Sequence, residues 1–358
     1  MGIGGFRHHM VQEVFEEPRA IQDTIAGCTK DLPAIIKEVG ERKFRIAYLS
    51  GSGSSYYACL AGQYAVSALT SLTATSIPAS EFAFWASPAV RDFLMVAVSQ
   101  SGESVDILSA VETALDTGGK VLAVTNTPGS TLAKKADFVL LTRAERELAV
   151  TATKTYVSQL VAAYMLSIGL SEMQKVKGEA ELGEFRERLK EAPRLLEETL
   201  RSTDKVVREI AEKYRHNKFF FILSSGPNYA TAMEGALKLK ESCNVFAEGY
   251  ASREFLHGPM RLADENTPMI FIVPPREDLD EYVGLMKRFK SLGAPIISIS
   301  EGDEKITGLG DSITIPEGLP PLFTPIIYVG PLHLLAYYSS IDRGLDPDKP
   351  EKIVKVVK

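Results

Sequence analysis

The chain alternates between two spacings of apolar residues. Short apolar runs, Phe44–Leu49, Leu94–Val98, Val121–Thr125 and Phe138–Thr142, predict strands, Leu94–Val98 as one buried on both faces, and Thr73–Ile77 predicts a further short strand. Between them the spacing turns helical: Val105, Leu108, Ala110 and Val111 open one helix, small residues fill another from Tyr56 to Leu69, and Thr153–Leu170 forms a largely apolar third. Val11–Val39 predicts two amphipathic helices punctuated by Pro18 and Pro33. Strands alternating with helices predict an α/β sandwich around a parallel sheet.

The pattern then returns. Ser171–Lys218 is rich in Glu, Lys, Arg and Leu and predicts exposed helices bridging two domains. Beyond it, Lys218–Tyr229 mirrors the first strand and its glycine loop, with Ser224 lying 174 positions after Ser50 and Met269 lying 174 after Met95. Pro295–Ile299 and Ser312–Ile315 mirror Val121–Thr125 and Phe138–Thr142, so four strands recur at nearly one offset and predict two copies of one α/β fold. The expected organisation is a helical segment over 1–40, a first domain over 41–170, a helical linker over 171–217, a second domain over 218–345 and a tail over 346–358.

Candidate chemistry gathers first at Ser99-Gln-Ser-Gly-Glu-Ser104, where a strand ends and a helix begins. Gly102 lets backbone approach a ligand, first-turn N–H groups point outward, and Ser99, Ser101 and Ser104 can donate to oxygens. Helix capping by Ser101 or Ser104, with Glu103 in the first turn, would need one hydroxyl; three hydroxyls and Gln100 favour a bound monophosphate. The second copy has Pro274-Pro-Arg-Glu277 there, without a hydroxyl cluster, which predicts one ligand phosphate per chain.

Glu234, Lys238 and Glu241 stand at i, i+4 and i+7, on one helix face among apolar positions. That face reads either as a solvated salt-bridge stripe or, near the carboxyl end of a sheet, as a proton shuttle between adjacent carbons of an open-chain sugar. His257 precedes a Gly258-Pro259 turn and suits either proton passage near neutral pH or a turn-capping role. Lys355 reads as an imine-forming lysine or as a basic tail residue. His8 and His9, adjacent, project apart and read as a surface pair.

Composition narrows the class. The 358 residues carry a formal net charge of −6 with no dense Lys/Arg block, which excludes a nucleic-acid backbone as the main partner. Three scattered cysteines, Cys28, Cys59 and Cys243, fit a reducing cytoplasmic location without a disulfide framework or zinc spacing. The N-terminus lacks a signal-peptide core and no run is long enough to span a membrane. No spacing indicates a metal, and the glycine loops lack dinucleotide or Walker patterns, so no cofactor is expected.

The serine loop, the duplication and Glu234-Gly-Ala-Leu-Lys-Leu-Lys-Glu241 together resemble the sugar isomerase (SIS) superfamily, within it the isomerase half of glucosamine-6-phosphate synthase and related glucosamine-6-phosphate deaminases, from about Gly4 to the C-terminus. The resemblance implies two tandem three-layer α/β/α sandwich domains with parallel sheets. It puts substrate binding on Gly53, Ser54, Ser55, Ser99, Gln100, Ser101 and Ser104, and on a stretch containing Val150 and Ala152, where synthases carry serine at the latter. Glu241 becomes the proton-transfer carboxylate, Lys238 its helper, His257 the ring-opening histidine supplied by the other subunit of a homodimer, and Lys355 the imine lysine, with Lys352 as the alternative; Glu351 stands where an arginine is expected. The implied substrate is a hexose or hexosamine 6-phosphate. The leading expectation is conversion of glucosamine 6-phosphate to fructose 6-phosphate and ammonia, reversibly. A second is a synthase isomerase half using ammonia from a separate glutaminase, since Gly4–Pro18 is similar to the linker that follows the glutaminase half. The third, from another class, is a sugar-phosphate sensor without chemistry.

Overall fold

The computed structural model describes residues 5–42, 44–85, 91–275 and 279–357. Its contacts divide the chain into two compact units. One comprises Glu16–Glu147, Lys154–Pro193 and the tail from Val354; the other comprises the N-terminal stretch through Phe15, Leu148–Thr153 and Arg194–Ile353.

The first of these holds five parallel strands: β1 (Ile46–Gly51), β2 (Thr73–Pro78), β3 (Leu94–Ser99), β4 (Lys120–Thr125) and β5 (Phe138–Leu141). They lie in the order β2-β1-β3-β4-β5. All six residues of the central β3 are buried, and alternation divides them between two layers. Val96 and Val98 meet Cys28 and Leu32 of α2 (Glu17–Glu41), Cys59 of α3 (Ser54–Leu69) and Leu166 of α7 (Lys154–Gln174) in one cluster. Met95 and Ala97 meet Ile107, Ala110 and Val111 of α5 (Val105–Asp116) in another. Two apolar layers around one sheet make the three-layer sandwich that the sequence predicts.

The other unit repeats the plan with β6 (Phe219–Ser224), β7 (Phe246–Ala251), β8 (Met269–Val273), β9 (Ile296–Ser300) and β10 (Asp311–Thr314), in the equivalent order β7-β6-β8-β9-β10. Its helices include α9 (Pro227–Cys243), α10 (Leu279–Ser291) and α12 (Pro325–Asp342). The repeat is thus a duplication, but its offset is not constant. Gly53 and Gly226, with nearly the same backbone angles at the N-caps of α3 and α9, lie 173 positions apart, whereas the register of β3 and β8 gives 174. The shift matters because it decides which residues are equivalent on the two helices.

Three local expectations are corrected. Pro33 does not punctuate: it sits inside α2, where α2 follows α7 so closely that a Cβ on Gly169 would meet Ile36 Cδ1 at 1.9 Å. Packing of that closeness outweighs one lost backbone bond. Ser171–Lys218 does not form several exposed helices: after α7 ends it is one helix, α8 (Glu179–Lys213), whose Leu189, Leu196, Leu200 and Val207 are fully buried. Strand β7 has no counterpart among the predicted strands, because Glu248 and Gly249 break its apolar run, although Phe246 lies 173 positions after Thr73 of β2. Part of Pro274–Glu277 lies outside the described residues. No helix among the described residues is long and apolar enough to cross a membrane.

Candidate active site

In the β1–β5 unit, β1 and β3 are neighbours whose outgoing connections diverge to opposite sides, the switch point at which ligands of open α/β sheets bind. The loops leaving these two strands carry Gly53, Ser54, Ser55 and Ser99–Ser104, so the pairing of β1 with β3 brings the predicted phosphate-binding residues to one edge. Gly53 (φ +56°) turns the chain into α3 and Gly102 (φ +66°) turns it toward α5. The Ser99 hydroxyl accepts from the Gly102 N–H at 3.1 Å and the Ser101 hydroxyl from the Glu103 N–H at 3.2 Å. Those bonds use lone pairs and leave each hydroxyl proton able to donate to an anion. Ser104 takes the N-cap of α5, yet its side chain makes no capping bond.

Glu103 is the loop's anion, and it turns away from α5. Its carboxylate accepts from the N–H and the hydroxyl of Thr131, both at 2.8 Å, at the start of α6 (Thr131–Lys135). The capping alternative, with Glu103 in the first turn of α5, is therefore not the arrangement found. Gly102 is held where a Cβ would meet Ser130 Oγ at 2.3 Å. Gly102→Ala should therefore combine left-handed strain with a clash and cost about 1–3 kcal/mol of stability. Calorimetric titration with a hexose 6-phosphate should show weakened binding, with the loop as its cause.

The tail reaches the same unit. The Val357 carbonyl accepts the Val105 N–H at 3.3 Å, occupying one of the first-turn donors of α5. Lys355 Nζ is ion-paired with Glu147, whose side chain is fully buried and also accepts from the Thr155 N–H (3.2 Å) and hydroxyl (2.8 Å). Lys355 is thus a fixed residue, and Glu147 is a partner that the sequence reading missed, because nothing in local spacing links positions 147 and 355. An ammonium has no lone pair, so this pair must open and lose a proton before the nitrogen can attack a carbonyl. Lys352 adopts a left-handed φ of 68° and is exposed. Glu147→Ala should release the tail, seen as faster tryptic cleavage at Lys355 with the rest of the chain intact.

The remaining predicted residues belong to the β6–β10 unit. On α9, Lys238 Nζ lies 2.7 Å from Glu241 Oε2 and 3.3 Å from Glu234 Oε1. Glu234 and Lys238 are fully buried, while Glu241 keeps 24% of its side chain exposed. The face is therefore no solvated stripe. Burial alone would lower the Lys238 pKa, but the two carboxylates overcome it and hold the pKa above its ordinary 10.5. Lys238 stays an ammonium, and Glu241 is the member of the set that reaches solvent.

The duplication supplies an internal comparison. At the offset fixed by Gly53 and Gly226, the counterparts of Glu234, Lys238 and Glu241 on α3 are Ala61, Ala65 and Ala68. The same fold thus forms without any of the three charges. Burying Glu234 and Lys238 adds a cost that the shared architecture does not require.

His257 follows a short 3-10 turn, Glu254–Leu256, and is exposed, lining a surface cavity of about 490 Å³ with Arg253, Leu256, Glu281 and Arg288. Among the described residues it has no contact with the α9 charges. Val150 and Ala152 lie in Leu148–Thr153, which is tied down by the Glu13 carboxylate at the Leu148 and Ala149 N–H groups and by the Asp348 carbonyl at Val150 N–H (3.0 Å). The three cysteines are free and buried, and burial pushes the Cys28 and Cys243 thiols up to about 12.

Comparison with known proteins places the chain in a family. The family model for the SIS domain matches residues 42–169 and again 213–340, and the chain belongs to that family. It is 37% identical over 354 residues to glutamine--fructose-6-phosphate aminotransferase [isomerizing] of Thermococcus kodakarensis, covering 99% of this chain and 58% of the relative. The Methanothermobacter thermautotrophicus protein of the same name is also 37% identical, over 356 residues and with the same coverage of 99% and 58%. The chain thus spans somewhat more than half the length of the curated relatives it matches. Among solved structures, the C-terminal domain of glucosamine-fructose-6-phosphate aminotransferase from Francisella tularensis superposes with a TM-score of 0.91 at 27% identity, covering 98% of this chain and 100% of that one. Glucosamine-6-phosphate deaminase from Thermotoga maritima shares the fold, with a TM-score of 0.77 at 23% identity and coverage of 98% and 99%.

Proposed function

We propose that this chain is a sugar-phosphate isomerase acting at C1 and C2 of a hexose 6-phosphate that carries nitrogen at C2, interconverting glucosamine 6-phosphate with fructose 6-phosphate and ammonia. The observation that carries this reading is the buried Glu234–Lys238–Glu241 set on a helix face whose duplicate carries only alanines. In this reading the hydroxyls of Ser99, Ser101 and Ser104 and the backbone around Gly53 hold the phosphate, with Gln100, Ser54 and Ser55 beside them. The Glu241 carboxylate takes the proton from one carbon of the open chain and returns it to the next, while the Lys238 ammonium, 2.7 Å from Glu241 Oε2, orients it. Lys355, released from Glu147 and deprotonated, attacks the C2 carbonyl and expels water to form the imine, from which ammonia then displaces the lysine amine; His257, exposed on its own chain, passes a proton to the ring oxygen in the second subunit of a homodimer. Val150 and Ala152 contact the sugar hydroxyls.

The source of nitrogen separates two forms of this reading. Free ammonia makes the chain a reversible deaminase; ammonia from a separate glutaminase makes it the isomerase part of a synthase, a form supported by the names and greater length of the relatives. Incubation with glucosamine 6-phosphate, following ammonia and fructose 6-phosphate together, distinguishes them. Both products appear if it is a deaminase. Isomerisation of fructose 6-phosphate to glucose 6-phosphate without ammonia release marks the synthase part, and binding without either conversion would leave a sugar-phosphate sensor instead.

A further inference from the structure

The charged set on α9 has a fourth member on another helix. His333 of α12 is fully buried, with Nε2 3.9 Å from Glu234 Oε1, the same oxygen that lies 3.3 Å from Lys238 Nζ. Its place is fixed by close packing: a Cβ on Gly235 would meet Leu332 Cδ1 at 2.7 Å, so the backbone of α9 lies flush against the residue preceding His333. One helical turn or so further along, the Ser242 hydroxyl and the Cys243 thiol both donate to the Ala336 carbonyl, at 3.3 and 3.2 Å. The register of α9 against α12 is therefore rigid, and the imidazole is held beside Glu234.

The other repeat again provides the comparison. There Gly62 packs on Ala163 as Gly235 packs on Leu332, so Tyr164 is the positional counterpart of His333 as Ala61 is of Glu234. A histidine and a glutamate have replaced a tyrosine and an alanine together, at positions the fold fills without charge.

The geometry points to His333 as a positioning residue: by giving Glu234 a second electropositive neighbour, it keeps the Lys238 ammonium committed to Glu241. Two carboxylates compete for one ammonium, and in a water-excluded site whichever is worse satisfied draws it harder. The His333 imidazole, 3.9 Å from Glu234 Oε1 and so beyond hydrogen-bond distance, sets a polar ring beside that oxygen where solvent would otherwise be. Without it, Lys238 is drawn toward Glu234, and Glu241 loses the partner that orients it. When Glu241 takes up a proton from the substrate, the same arrangement gives the ammonium a place to turn and lets it return once the proton has left. This inference rests on the proposed isomerase reading, with Glu241 as the proton-transfer group.

The test is a rescue experiment. His333→Leu keeps the volume and removes the donor, and it should lower kcat by about tenfold or more with KM for the hexose phosphate nearly unchanged. His333→Gln, which offers an amide N–H to the same oxygen, should recover most of the loss. Adding Glu234→Gln to His333→Leu should also recover activity, because the neutral amide no longer competes for Lys238; such recovery is non-additive in a way that mere loss of packing cannot produce. Wild-type kcat in His333→Leu, equal defects in the Leu and Gln variants, or an additive double variant would each overturn the proposal. If the wild-type chain turns over no hexose phosphate, the isomerase reading fails instead. Nitrogen-15 NMR of lysine-labelled protein then still decides this one: the Lys238 ammonium signal should respond to Glu241→Gln in the wild-type background and cease to respond in His333→Leu.

Discussion

Glu241→Gln should lower turnover by about 10³-fold while leaving hexose phosphate binding within about twofold. The amide oxygen can still accept from Lys238 Nζ, 2.7 Å from Glu241 Oε2 in the native chain, so the fold and the position of the side chain should survive. What is lost is the capacity to take up a proton from carbon. The phosphate loop lies on the other repeat, around Gly53 and Ser99–Ser104, and is built by hydrogen bonds in which α9 takes no part. A coupled assay for kcat beside calorimetric titration of the inactive variant separates the two effects. A fall in affinity as large as the fall in kcat would mean that Glu241 binds substrate rather than transforming it.

Lys238→Ala should be the most destabilising of the single changes considered, by about 3–5 kcal/mol, because it strands the fully buried Glu234 and removes the partner of Glu241. The pH dependence carries the signature. In the native chain the Lys238 pKa is raised above 10.5, so the stabilisation it provides is fully present below that pH and fades only as pH rises through the folded value. The variant lacks that contribution at every pH, so its deficit against the native chain should narrow as pH rises above 10.5. Denaturant unfolding across that range measures the difference. A deficit that stays constant with pH would assign the loss to a cavity rather than to charge.

The layers of both repeats were legible in the sequence because strands buried on both faces must be apolar throughout. Leu94–Ser99 and Met269–Val273 show this, while β7 hid behind Glu248 and Gly249. Helix boundaries were less legible at Pro33, since a proline stops a helix only where packing does not hold the flanking turns. At the site, Glu234, Lys238 and Glu241 could be placed on one face by spacing alone, but spacing is silent on burial, which decides between a solvated stripe and a charge cluster. The partners Glu147 and His333 could not have been read from the chain, because each meets its neighbour through tertiary packing across many intervening residues. A one-residue correction of the repeat offset, from 174 to 173 on the α3 and α9 helices, would have aligned the charges with Ala61, Ala65 and Ala68 and pointed to the site earlier.

The central claim is that Glu241 moves a proton between C1 and C2 of a hexose 6-phosphate, and it holds whichever source of nitrogen the chain uses. Fructose 6-phosphate incubated with the chain in deuterium oxide tests it most directly, by proton NMR of the C1 position. Deuterium should enter C1 with the wild-type chain, and none above background with Glu241→Gln. Absence of exchange with the wild-type chain, or equal exchange with both, would contradict it.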